Sequence, residues 1–550
     1  MLDPLTAAGL GKHAKNAYND YVYFWCWATW QAVTKQDGPG VVAFITASFY
    51  LDGVSLGGLR SHLRDVFDEL WIVDLGGEGR GARVDESVFA IRTPVAIAFG
   101  IRTGAGRKDC DVRYLAIEGT REEKLKQLAD LDLLKAPAGT IVGEGLNRLT
   151  PTSTADYHAW PEITDLFPWN HSGSQLKRTW PIGPSKSLVR RRWDQLLSVS
   201  PSQRRVLMRE TPDRNTTSLV KSLQNDVTLK PVSSLRHGSS PDGLERYGYR
   251  SFDRQWIISD NRLSDRPRPP LWDSRGPRQV YLTTLTSTKL GGGPVVTATP
   301  YVPDLHYFRG SYGAKDVMPP YRDHRGERPN VTSGLLKALS DHLGTQISVK
   351  DLMAYVYGLT ATSAFAERFA DELGEGAGPV RIPMTADPKL FSEGIALGTE
   401  LLRWHTWGER FGDETTLPPG AATELKPVTR YPDSFHWDSV SETLHIGDGA
   451  IGPVPAAVWN FDVSGLRPLQ SWLGYRMKKG KGKKSSPLDD IRPERWSFTT
   501  ELLTVIAILE HTIELTPKAA NLLNRVVSTA LIDVAVLPKP NDAERKPPKD

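Results

Sequence analysis

A chain of 550 residues, with 39% hydrophobic and 24% charged residues, has the make-up of a globular multi-domain protein of roughly three to four compact units. Two cysteines, Cys26 and Cys110, with no CxxC or Cys/His spacing, exclude a disulfide framework and a Cys/His zinc module and point to a reducing, cytoplasmic compartment. The formal charge of +4 suits many partners, whereas the N-terminal MLDPLTAAGLGKHAKN holds no apolar run of signal-peptide length and no window spans a membrane.

Along the chain, Tyr18 to Trp30 (YNDYVYFWCWATW) repeats its aromatic and apolar positions at helical spacing behind an Asn19-Asp20 cap, which favours a core helix over exposed stacking rings. Val41 to Ile45, Leu70 to Asp74 and Val95 to Ile101 are short β-branched runs separated by a helical stretch, Leu56 to Phe67, and a Gly-rich turn. Fully apolar strands alternating with helices predict a buried, largely parallel sheet. Residues 137–250 are rich in Pro, Ser, Thr and Arg, and 137–270 read as an irregular connector carrying one helix, Ser185 to Leu197. Strands at Gln279 to Thr286 and Pro294 to Pro300 then lead into helices at Gly334 to Leu343, Val349 to Thr360 and Pro388 to Trp407, with a last helix from Thr499 to Thr512. The fold class expected is α/β followed by α+β: a partial doubly wound sheet over 1–136, the connector, a mixed α+β domain over 271–538, and a frayed polar tail over 539–550.

Three motifs invite a chemical reading and favour a bland one. The turn Asp74-Leu75-Gly76-Gly77-Glu78-Gly79 has neither the spacing of a dinucleotide fingerprint nor the trailing Lys-Ser/Thr of a P-loop, so a plain tight turn is expected. Met318-Pro319-Pro320-Tyr321 resembles a base-holding Asn-Pro-Pro-Tyr loop, but a thioether cannot accept from an exocyclic amine as a carboxamide does, and a Pro-stiffened surface loop is expected. His405 and Glu409 lie one helical turn apart without the second His of a zincin, which predicts a buried ring and a solvated carboxylate. No metal site and no catalytic triad can be assigned.

The strongest local signal is Trp472 to Lys484, WLGYRMKKGKGKK. Arg476, Lys478, Lys479, Lys481, Lys483 and Lys484 alternate with Gly beside two aromatic rings, a pattern that fits a flexible loop following a phosphate backbone and equally a solvated lysine run.

Asn19 to Trp30, then VVAFITASFYLDGVSLGGLRSHLRDVFDELWIVDLGGEGRG, ESVFAIRTPVAIAFGIRTG, LFPWNHSGSQLKRTWPIGPSKSLVRRRW, YGYRSFDRQWIISDN, VRIPMTADPKLFSEGIALGTELLRWHTWGERF and SSPLDDIRPERWSFTTELL together resemble Type ISP restriction–modification enzymes. The resemblance implies that residues 1–136 correspond to the later part of a doubly wound, methyltransferase-like sheet and that the downstream region is the specificity domain reading duplex DNA, with a role in phage defence. It also implies that the nuclease, the translocase and the methyltransferase's cofactor and Asn-Pro-Pro-Tyr loops lie upstream of the matching segments. The chain by itself is therefore expected to bind no cofactor and to be inactive as a site-specific adenine-N6 methyltransferase. It would use S-adenosylmethionine only when completed by a separately encoded polypeptide carrying methyltransferase, helicase or nuclease parts. Phe99 would lie beside a flipped adenine, although core packing is the plainer role. The expected phosphate contacts are Arg467, Arg476, Lys478, Lys479, Lys481, Lys483 and Lys484. Two alternatives stand beside target recognition: a divergent stand-alone adenine methyltransferase, and a non-functional remnant of a truncated gene.

Overall fold

The computed structural model describes residues 19–35, 38–51, 56–76, 86–89, 91, 93–104, 110–117, 119–133, 135, 139–140, 149–150, 155–311, 316–375, 378–412, 417–482 and 484–548. The chain divides into two compact units: Met1–His158 with Thr288–Gly291 and Phe369–Gly378, and the remainder from Ala159 to Asp550.

In the first unit Asn19 caps helix α1 (Asp20–Thr29), which continues through one π turn, Trp30–Thr34. Val22, Trp25, Cys26 and Val33 enter the core, where Trp25 meets the rings of Phe44 and Tyr50. Tyr21 is half-buried against Tyr50, while Tyr23, Phe24, Trp27 and Trp30 face outward, with Phe24 56% and Trp27 54% exposed. Strands β1 (Gly40–Ala47), β2 (Glu69–Asp74), β3 (Val95–Arg102), β4 (Asp111–Ala116) and β5 (Gly139–Thr140) form one sheet in the order β1-β3-β2-β4-β5, with helix α2 (Gly57–Val66) between β1 and β2. Only the β2–β4 pairing is parallel; β3 runs antiparallel to both of its neighbours, and β5 to β4. The expected largely parallel sheet is thus corrected to a mixed one. Apolar runs report that both faces of a strand are covered; its direction is set by the connection, and the long return from β2 inserts β3 in reverse between β1 and β2. Helix α3 (Arg121–Ala129), held by a Thr120/Glu123 capping box, shields the opposite face near Val73, Leu75 and Ile117.

In the second unit the segment read from sequence as a connector forms core. Trp169, Trp180 and Trp193 are fully buried, and helix α4 (Lys186–Ser198) packs its Leu188, Val189, Trp193 and Leu196 inward. Short strands β6 (Ile182–Gly183), β7 (Leu244–Arg250) and β8 (Asp253–Ile258) form a small sheet, and β9 (Tyr281–Thr283), β10 (Thr297–Thr299) and β11 (Val317–Met318) a second. So little regular ladder leaves many backbone carbonyls without an amide partner, and buried guanidinium groups supply the donors. Arg178 donates to the carbonyls of Leu176, Met208 and Leu263 and pairs with Asp265 at 2.6 Å. Arg192 serves Trp180, Ile182 and Ile491, and Arg204 serves Leu197, Val232 and Leu235.

The helical layer comprises α5 (Leu335–Leu343), α6 (Val349–Thr360), α7 (Pro388–His405) and, further along the chain, the long helix Thr499–Val527. Helices α6 and α7 cross at glycines: a Cβ on Gly398 would stand 1.7 Å from the Ala354 carbonyl oxygen, so no larger residue allows this approach. The long helix passes the expected end at Thr512 and continues through Pro517, because its apolar stripe resumes at Leu515, Ala519, Leu522, Leu523 and Val526. A four-stranded antiparallel sheet that the sequence reading did not foresee, β12 (Thr423–Lys426), β13 (Phe435–Asp438), β14 (Thr443–Ile446) and β15 (Gly449–Gly452), runs in the order β12-β15-β14-β13. The polar terminus, expected to fray, packs back: Arg545 pairs with Asp165 at 2.8 Å and Glu544 accepts from the Ser333 amide.

His405 ties three helices together, bonding the Tyr357 hydroxyl at 2.6 Å and that of Thr512 at 2.8 Å. Burial, with a smaller contribution from nearby His511, pushes its pKa down to about 3. The unfolded chain takes up this proton near pH 6.5 and the folded chain only near 3. This residue's contribution is therefore complete above pH 6.5 and declines on acidification, by at most about 1.4 kcal/mol per pH unit. Urea unfolding between pH 7 and 4 should show a shallower loss of stability for His405→Gln than for the wild-type chain.

Candidate nucleic-acid interface

The cationic segment begins at helix α8 (Pro468–Arg476), whose first turn is opened by Pro468 and whose N-cap is Arg467, exposed to solvent. Trp472 is fully buried, so of the two rings flanking the lysines it packs, and only Tyr475 stays half-buried at the surface. Arg476 is also fully buried. Its guanidinium stacks on Trp472 at 3.7 Å, donates to the carbonyls of Trp472 and Arg254, and pairs with Asp253 at 3.0 Å. Glu501, at the start of the long helix, lies 3.8 Å away. The expected phosphate contact at Arg476 is therefore corrected: its donors are turned to internal partners, and no phosphate reaches a group with no accessible surface.

Beyond Arg476 the chain turns outward but is not slack. The amide of Lys478 donates to the Pro432 carbonyl at 2.9 Å, that of Gly480 to Met477 at 2.9 Å, and that of Lys481 to Gly474 at 2.8 Å. Gly480 takes φ +53°, and a Cβ there would also strike the guanidinium of Arg492. An anchored turn thus replaces the flexible loop expected from the Gly/Lys alternation. Lys478, Lys479, Lys481 and Lys484 are exposed, and Lys483 lies outside the described residues. Lys484 is paired with Asp490, and Lys478 stands 3.9 Å from Asp433. Lys479 makes no ion pair among the described residues. Lys481 lies over the Tyr475 ring at 5.9 Å, and shelter from water together with the nearby Arg250 charge holds its ammonium below the usual lysine range. The sequence reading missed Arg492, which abuts the turn, and Arg191, which donates to the Arg492 carbonyl at 2.7 Å and pairs with Glu494. Tertiary folding alone brings these to the lysines.

The other motifs take structural roles. Met318, Pro319 and Pro320 are buried rather than on the surface: Val317 and Met318 form β11, and Asn330 donates to the carbonyls of Pro319 and Trp169 at 2.8 Å each. The His405 ring is buried as expected, whereas Glu409 is no solvated carboxylate; it pairs with Arg254 at 2.7 Å and accepts from the Tyr301 hydroxyl. The Asp74 carboxylate is used within its own turn, accepting from the Gly76 amide at 3.0 Å and the Tyr114 hydroxyl at 2.9 Å; Gly77 to Gly79 lie outside the described residues. Phe99 is half-buried on β3, opposite Trp71 of β2 and Ala43 of β1. Among the described residues no group of three or more His, Cys, Asp or Glu side chains could hold a metal, and no helix is long and apolar enough to cross a membrane.

Fold and surface together define a mixed α/β module that sets an anchored cationic turn on an internally neutralised core. Residues 165–508 match the model of the Type ISP C-terminal specificity domain, and the chain belongs to that family. Among solved structures it is similar to that of a DrdV–DNA complex, with a TM-score of 0.61 and 19% identity over 94% of this chain and 52% of that one. It is also similar to a nuclease-deletion mutant of the Type ISP restriction-modification enzyme LlaGI in complex with a DNA substrate mimic (TM-score 0.62, 19% identity, 91% of this chain, 40% of that one). A third is LlaBIII, an ATP-dependent Type ISP restriction-modification enzyme bound to DNA (TM-score 0.64, 18% identity, 94% of this chain, 34% of that one). The chain thus spans about half the length of these structures or less, and at these identities the likeness is one of fold. No curated protein matches it.

The contrast between buried and exposed cations is measurable. Arg476→Met leaves Asp253 without its guanidinium partner and should cost about 3–5 kcal/mol in denaturant unfolding. Lys479→Ala, at an exposed position, should change stability by no more than about 0.5 kcal/mol.

Proposed function

We propose that this chain reads the DNA target of a Type ISP restriction–modification enzyme, and that the turn Met477 to Lys484 seats on the phosphate backbone of the duplex. The observation that carries the reading is the anchored, unpaired pair Lys479 and Lys481 on a domain of the Type ISP specificity family. Lys478 and Lys484 add charge to the turn itself, exposed Arg467 lies at the other end of helix α8, and Arg476 holds the base of the turn. Phosphate contacts position the protein and confer salt dependence, while polar side chains of the same domain read base edges.

A second element of the proposal is that the first unit completes an adenine-N6 methyltransferase with parts carried elsewhere. Support comes from β1, which pairs only with β3 among the described residues and leaves Val41 60% and Ile45 56% exposed on the sheet face away from the core cluster around α1. An apolar edge of this kind is a template for a further strand. In that setting Phe99 lies on the face where a flipped base would arrive, and S-adenosylmethionine is supplied by the completing part. The described residues of the turn after β2 do not fit the cofactor by themselves, since the Asp74 carboxylate there is consumed internally. A stand-alone methyltransferase would give heat on titration with S-adenosylmethionine; the expected result for this chain is none.

Selection from a random duplex library at two salt concentrations should enrich one sequence motif. Uniform binding would limit the role of the chain to electrostatic attachment, and no binding would sink the reading. On the selected duplex, Lys479→Ala/Lys481→Ala should weaken affinity and lower the log–log salt slope by about 2.

A further inference from the structure

A second cationic surface lies on the same unit, built from segments far apart in sequence. Residues 321–330 form a loop closed at both ends. Asp323 accepts from the amides of Arg325, Glu327 and Arg328, and the Arg322 amide donates to the Arg328 carbonyl at 2.8 Å. At its root Arg322 points inward, over the Trp169 ring and toward the Lys546 carbonyl. Arg325 and Arg328 point outward and are exposed. Arg325 makes no ion pair among the described residues, and Arg328 stands 3.6 Å from Asp323.

Two other segments join this loop. A Cβ on Gly276 would lie 1.9 Å from the His324 carbonyl oxygen, so the two backbones are in contact, and the exposed Arg278 reaches the Gly326 carbonyl at 3.4 Å. Arg410, from the turn after α7, donates to the Gly276 and Gln279 carbonyls at 3.1 Å each. The next residue, Phe411, in the left-handed region at φ 63°, carries the Lys350 ammonium 4.9 Å from its ring centroid. Arg278, Arg325, Arg328, Lys350 and Arg410 therefore share one neighbourhood. Among the described residues, Asp323 accepts from the loop amides beside Arg328, Asp351 serves the Ser348 cap of α6, Glu409 pairs with Arg254 and accepts from Tyr301, and Glu327 is exposed.

We infer that this surface is a second phosphate-backbone contact for duplex DNA, with Arg325 and Arg328 as its principal donors, separate from the turn at Met477 to Lys484. The inference rests on the reading that the chain binds duplex DNA. Arginine suits the task, since its planar fork meets two phosphate oxygens at once and stays charged at any working pH. Fixing both guanidinium stems on a loop whose backbone is already bonded removes much of the ordering cost of binding. Neither Arg325 nor Arg328 carries core packing, so substitution leaves the fold in place.

The test uses the full chain and its selected duplex across a salt series. Arg325→Ala/Arg328→Ala should weaken binding on the order of tenfold at low salt and lower the log–log slope by about 2. Arg325→Lys/Arg328→Lys should recover most of the slope. An unaltered slope and affinity in the Ala variant, while Lys479→Ala/Lys481→Ala loses both, would overturn the second contact and leave the first reading standing. Absence of duplex binding by the wild-type chain would overturn both together. Thermal unfolding of each variant, expected to match the wild type, keeps a folding defect from passing as a binding one.

Discussion

The second unit depends on buried arginine. Long stretches of it run without regular secondary structure, and a buried carbonyl with no donor costs about 1–3 kcal/mol. A guanidinium offers five N–H groups in one plane and so can satisfy three or four carbonyls that no strand or helix serves. Arg178, Arg192 and Arg204 each do this, and Arg262 adds the Lys230 carbonyl to its pairing with Asp260. Removing one such hub would orphan several acceptors at once, which makes these residues structural in a way their charge alone does not suggest.

The same economy explains how the surface cations are oriented. Arg476 and Arg322 sit at the roots of the two outward cationic segments, each with its charge spent on internal acceptors and an aromatic ring. The residues just beyond each root, Lys478 to Lys481 in one case and Arg325 to Arg328 in the other, are held by backbone bonds and project into solvent. A cation on an anchored turn loses less freedom when it meets a phosphate than one on a loose loop. Inward and outward basic residues are thus two parts of one arrangement, the first fixing the geometry in which the second can act.

The first unit obeys a different logic. Among the described residues, its sheet is covered on one face by α1 and α2 and in part by α3 on the other, and its β1 edge carries apolar side chains.

Several elements were legible from sequence because their causes are local. The cap at Asn19, the helices beginning near Ser185 and at Val349, and the strands around Leu70 and Val95 arise from side-chain periodicity and capping chemistry within a few residues. The family, too, was legible, since its segments recur in order along the chain and the matched region spans residues 165–508. The features that the sequence could not yield depend on distant partners. Strand direction around β3 was decided by how a long connection returns, and burial of the Met318 segment by Asn330 and β9. The division of labour among the basic residues was decided by whether a carboxylate or carbonyl from elsewhere stands within reach. Arg476 and Lys479 are three positions apart and equally basic on paper; only the approach of Asp253 and Trp472 takes one out of water and leaves the other in it.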